Sequence, residues 1–151
     1  MKTDLLLFFP VIFALLNVSC SNSGSSTLNE DSLLKQDASY FFQMSDENNQ
    51  PLAEGIMKIV YKKNLIISGI YELTKVYNDS VPGLNTMKNT FSGKESKDDN
   101  AVYLNMNPKI SDSNIIFEFI VSNDRIKGRW YYSTLMGIKA EGKLSGYQEI
   151  K

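Results

Sequence analysis

Histidine is absent from the sequence and cysteine occurs once, at position 20. These two facts remove imidazole acid–base catalysis, Ser-His and Cys-His nucleophile pairs, and nearly every zinc or haem site. An internal disulfide is excluded as well. The chemistry that remains belongs to carboxylates, ammonium groups and aromatic rings. Asp46, Glu47, Glu54, Asp79 and Asp112 fall in or beside turn-rich segments, with Lys75 and Lys109 as basic counterparts. Acids grouped in this way can hold a cation, dock a basic partner or, when two are fixed at a set separation, hydrolyse a glycosidic bond. Asp46-Glu47-Asn48-Asn49 has neither the spacing nor the glycine of a calcium-binding EF-hand loop. Solvated loop charge is the simpler reading, because Asp and Asn favour turns through local hydrogen bonds. Lys94-Glu95-Ser96-Lys97-Asp98-Asp99 reads the same way, as a charged loop. No cofactor, metal or enzymatic activity is expected. The formal net charge of -1, mixed in sign along the chain, gives no basic stripe for nucleic acid.

The single cysteine acquires meaning from what precedes it. Leu5 to Leu16 is a dense apolar run broken only by Pro10. At about twelve residues it fits a secretory h-region and falls short of the roughly twenty a bilayer span needs. Val18-Ser19-Cys20 then stands where a cleavage site belongs. This segment resembles bacterial lipoprotein precursors, whose lipobox ends in a small residue followed by the acylated cysteine. Asn17 departs from the leucine usual at its position in that motif, and Leu16 stands one place too early. The resemblance implies that Cys20 is lipidated and that the membrane is a partner through it. It also implies an exported protein of the cell envelope. In a Gram-negative host, Ser21 in place of an aspartate implies outer-membrane sorting. Residues 1–19 then form the signal peptide, and 20–37 a tether whose Ser-Asn-Ser-Gly-Ser-Ser-Thr start is flexible by composition.

From Ala38 onward the pattern is that of strands: aromatic and β-branched runs separated by Asn, Asp, Ser, Gly and Pro. Eight are expected over 38–151, near 38–45, 55–63, 65–74, 84–92, 101–107, 114–122, 125–133 and 137–147. Period-two alternation puts Met57, Ile59 and Tyr61 on one face, and likewise Leu65, Ile67, Gly69, Tyr71 and Leu73. Ile126, Gly128, Trp130 and Tyr132 share a face in the seventh strand; Ile138, Ala140, Gly142, Leu144 and Gly146 do so in the eighth. The sixth, Ile115 to Val121, is apolar on both faces, so something should cover its outer side. Four glycines on predicted inward faces (Gly69, Gly128, Gly142, Gly146) point to a strongly coiled, closed sheet. Short connections at Lys63-Asn64 and Ser122 to Arg125 favour hairpins between successive strands.

Residues 38–147 therefore resemble the eight-stranded up-and-down barrels of the lipocalin and avidin kind and of small bacterial lipoproteins. Ile67-Ser68-Gly69-Ile70-Tyr71-Glu72 is similar to avidin-type strands, and Gly128-Arg129-Trp130 to the lipocalin Gly-x-Trp. The latter sits here on the seventh strand instead of the first, and no lipocalin function is carried over. In a meander the connections 46–54, 75–83, 107–113 and 134–137 meet at one end, which would form a mouth rimmed by the acids above. Phe42, Tyr61, Tyr71, Trp130 and Tyr132 would line a cavity below it, or simply fill the interior, since eight strands leave just enough width for side chains. Phe41 and Tyr131 face outward. The expected role is a non-enzymatic binding module taking a small apolar or amphipathic ligand at the mouth. The alternative is a protein-interaction lipoprotein (an adhesin, inhibitor or assembly accessory) with a filled barrel.

Overall fold

The computed structural model describes residues 33–77 and 87–150. Among them there is no helix. Eight strands follow one another: β1 (Ser39–Ser45), β2 (Pro51–Lys63), β3 (Ile66–Val76), β4 (Lys88–Ser96), β5 (Ala101–Asn105), β6 (Ser113–Ser122), β7 (Arg125–Thr134) and β8 (Gly137–Gln148). Each pairs antiparallel with the next, and β1 pairs with β8 from Tyr40↔Gln148 to Ser45↔Lys143, so the sheet closes into a barrel. All eight expected strands are present. Only β4 is displaced substantially, because its lone aromatic, Phe91, gives the alternation little to fix it by.

Turn chemistry sets the hairpins. Asn123 and Asp124 both have positive φ (50° and 59°), the backbone a two-residue turn needs to follow the twist of its flanking strands. Asn64 (φ 55°) serves the β2–β3 turn, and Leu65, expected on the inward face, lies in that turn and is exposed; Gly137 (φ 93°) closes the β7–β8 hairpin.

Inside, the barrel is built from glycine–aromatic pairs. Gly69 lies opposite Phe91, Gly128 opposite Phe119, Gly142 opposite Trp130, and Gly146 opposite Phe42. A narrow barrel cannot hold two large side chains at the same level on adjacent strands, so each inward ring takes the space its neighbour leaves empty. A β-carbon on Gly69 would stand 2.5 Å from the Phe91 ring. Phe42 and Phe117 meet edge to face at 5.2 Å between centroids. Trp130 reaches across Gly142 and donates its indole N–H to the Ser45 carbonyl at 2.9 Å.

Two bulges correct the expected faces. Ile59 pairs with Gly69 and Tyr61 with Ser68, so Val60 is an extra residue and Tyr61 turns outward, 48 % exposed. Tyr132 pairs with Ala140 but Ser133 with Ile138, so Lys139 is extra and Ile138 turns outward in the same way. A slip of one residue moves every following side chain to the other face. The outer side of β6 is only partly covered: Ile116 is half-buried opposite Tyr131, while Ile120 is exposed.

The domain also begins earlier than position 38. Leu34 is wholly buried and belongs to the core. Its N–H donates to Glu95 Oε1 at 2.9 Å, and its carbonyl accepts from Lys62 Nζ at 2.9 Å. Lys62 and Glu95 pair at 2.5 Å, both nearly buried. Glu95 is therefore an inward residue of β4, not part of a solvated loop. The bulge at Val60 is what swings Lys62 inward to meet it. Two opposite charges and the backbone N–H and C=O of Leu34 satisfy one another where each alone would be costly to bury. Among the described residues every core residue falls between Leu34 and Leu144, within the unit that runs from Asp31 onward.

Candidate functional site

The meander sends the connections 46–50, 77–87, 106–112 and 135–136 to one end and 64–65, 97–100 and 123–124 to the other. The long-loop end is the place where a small barrel would open. Here it is closed. Phe42, Met44, Met57, Ile59, Ile67, Leu104, Met106, Ile115 and Phe117 present no surface that a water molecule could touch, from outside or from a void within. Their contacts are with one another, and the interior they form is solid side chain. Above them lies an amide network. The Asn107 N–H donates to Asn105 Oδ1 at 2.8 Å, Asn105 Nδ2 donates to Asn114 Oδ1 at 3.0 Å, and Ser113 Oγ and Tyr132 Oη share a bond of 3.0 Å. Asn107 is itself buried.

The residues expected at a site divide accordingly. Phe42, Tyr71 and Trp130 are core, and Tyr132 is half-buried under the amide network. Tyr61 belongs to the outer wall. Asp46 accepts the Gln50 N–H at 2.7 Å and shapes its own turn. Glu54 lies on β2, outside the loop assigned to it, and accepts the Tyr77 hydroxyl at 2.9 Å, while Lys75 stands 4.3 Å over that ring. Asp46 and Glu47 share a shallow open depression with Asn48, Ile138, Lys139 and Glu141. Asp112 and Lys109 are exposed on the β5–β6 connection. Asp79 and Cys20 lie outside the described residues. Among the described residues no three acids converge as a metal ion would require.

The long-loop end shows instead a set of exposed apolar side chains. Tyr77 and Met87 flank the β3–β4 connection, Ile110 stands on the β5–β6 connection, and Leu135, Met136 and Ile138 come from the β7–β8 hairpin. Leu135 and Met136 are 85 % and 84 % exposed. They occupy the two tip positions where Gly, Asn or Asp is the usual choice. The tip is held firmly: the Met136 N–H donates to Thr134 Oγ1 at 3.2 Å, and that hydroxyl donates to the Gly137 carbonyl at 3.3 Å. Scattered apolar residues on a surface are ordinary, but a preformed turn displaying two of them is a built feature. Sequence reasoning centred on the carboxylates passed over this pair. The available signal was the apolar dipeptide between Thr134 and Gly137.

Fold and surface together define an all-β, closed, eight-stranded barrel with a filled interior and an apolar crown. Compared with protein-family models, curated proteins and solved structures, the chain matches none.

Proposed function

We propose that the protein is a lipid-anchored component of the bacterial envelope that works through protein–protein contact, with the long-loop end of the barrel as its working surface. The observation that carries this reading is the Leu135-Met136 tip, displayed on a turn already fixed by Thr134 and Gly137. A tip that is ordered before binding loses little conformational freedom on docking, and two side chains of this size suit a partner's apolar pocket. The solid core favours this over a ligand held inside the barrel, since a bound small molecule would need most of its surface enclosed. Attachment through Cys20 rests on the resemblance of Val18-Ser19-Cys20 to a lipobox.

A photo-crosslinking amino acid in place of Met136, in cells making the full chain, tests the reading. A discrete protein adduct is expected, lost when Leu135→Asp is added. A Met136 adduct pattern no different from that of the same probe at Lys127, on the outer wall, would overturn it.

A further inference from the structure

The opposite end of the barrel carries an apolar area of a different kind. Around the β2–β3 hairpin the outer wall is laid out in three cross-strand rows: Lys63–Ile66–Lys94, Tyr61–Ser68–Ser92 and Lys58–Ile70–Thr90. Ile66 is 60 % exposed, and Val60, Tyr61, Leu65 and Ile70 are exposed beside it. Not one carboxylate falls in these rows. The next row up, Ile56–Glu72–Lys88, has the first, and Glu72 is paired with Lys88 at 3.4 Å. Among the described residues Lys58, Lys63 and Lys94 form no ion pair. The bulge at Val60 creates the patch, because it places Val60 and Tyr61 outside together.

The position of this patch along the chain limits what covers it. Leu34 is clamped to Lys62 and Glu95, and the Glu95 N–H donates to the Leu65 carbonyl at 2.8 Å, at the hairpin tip itself. The chain that leads to Cys20 thus joins the barrel beside the hairpin. Cys20 and Leu33 are thirteen positions apart, a reach of at most about 45 Å even if fully extended. An apolar surface bordered by three unpaired ammonium groups, at the end of the barrel where Leu34 joins the core, is complementary to a bilayer containing anionic lipid.

We infer that the β2–β3 hairpin wall is a lipid-contact surface: Ile66, Ile70, Val60 and Tyr61 rest in the headgroup layer while Lys58, Lys63 and Lys94 meet anionic headgroups. The barrel then stands with this end toward the membrane and its apolar crown turned away. The orientation deepens the reading above and rests on the anchor at Cys20; the lipid contact itself does not.

Residues 31–151, which contain the core described above and lack Cys20, separate the two. Co-sedimentation with vesicles of phosphatidylcholine plus phosphatidylglycerol is expected, weaker on phosphatidylcholine alone and weaker at high salt. Ile66→Ser with Ile70→Ser should lower the partition coefficient about tenfold or more, and Lys63→Glu or Lys94→Glu about fivefold each. Leu135→Ser should leave it unchanged. All these positions are exposed, so an unaltered circular dichroism spectrum is expected throughout. Absence of vesicle binding by the parent chain, or equal binding by the hairpin variants, would overturn the proposal. Self-association removed by Ile66→Ser, without vesicle binding, would overturn it in favour of a second copy as the occupant. Vesicle binding by residues 31–151, with no fatty acid on Cys20 of the full chain, would overturn the anchor and leave the lipid surface standing.

Discussion

Gly142→Ala is the perturbation that examines the interior most closely. Gly142 lies opposite Trp130, whose indole passes over it to the Ser45 carbonyl. A β-carbon added there would collide with that carbonyl, and would stand 2.8 Å from Trp130 Nε1 and 3.1 Å from the Asp46 α-carbon. Two of these three atoms are backbone, so the end of β1 must shift and the indole with it. Crowding of this kind costs about 1–3 kcal/mol, and the hydrogen bond lost from Trp130 adds about 0.5–1.5 kcal/mol. The expected loss is therefore roughly 2–4 kcal/mol, a drop in Tm on the order of 10 °C for a domain of this size. The sign discriminates, because Gly→Ala at an unstrained site stabilises by about 0.4–1 kcal/mol through the unfolded chain. Trp130 is the only tryptophan, so urea unfolding followed by its emission reports the site directly. The variant should unfold at lower urea with an unchanged slope, and its native emission should shift. In a double-mutant cycle with Trp130→Phe, read by circular dichroism, the two losses should be less than additive. A Gly142→Ala protein as stable as its parent, with unshifted emission, would refute the packing described here.

Three further outcomes follow from other parts of the molecule. Leu34→Ala should destabilise the barrel by about 2–5 kcal/mol in chemical denaturation, whereas a change near zero would mean that the segment before Ala38 contributes nothing to the core. Burial raises the Tyr40 phenol above its ordinary 10.0, although the Lys35 N–H bonded to its oxygen opposes this; the unfolded phenol therefore loses its proton first, and stability should hold below pH 10 and fall as pH rises beyond it, more steeply than in Tyr40→Phe. Cys20→Ala should abolish fatty-acid labelling and membrane association of the full chain, and equal labelling of both proteins would remove the lipid anchor.

The architecture was legible because most of the strands alternate cleanly: Ile67, Gly69, Tyr71 and Leu73 in β3 face inward as the period requires. The inward glycines were visible too, but not their partners. That Gly69 meets Phe91 and Gly142 meets Trp130 depends on register, which no single strand encodes. Tyr61 and Ile138 were misplaced for the same reason, since a bulge is one extra residue in a pairing, invisible without the neighbour. Glu95 read as loop charge because a buried carboxylate can be recognised only once Lys62 and the Leu34 peptide are seen around it. Of the carboxylates expected at the rim, Asp46 shapes its own turn, Glu54 lies on β2, and Glu47 and Asp112 are exposed, while Asp79 lies outside the described residues. The apolar tip at Leu135-Met136 was readable in principle, because it breaks the usual polarity of a hairpin turn.

The central claim is that the barrel is solid inside and acts through its surface. Native mass spectrometry of the protein released from its own cells without added ligand tests this most directly. The account predicts the mass of the polypeptide, with the lipid proposed at Cys20, and nothing further retained by the barrel domain. A stoichiometric small molecule that stays bound to residues 31–151 and is lost on Trp130→Ala would contradict it.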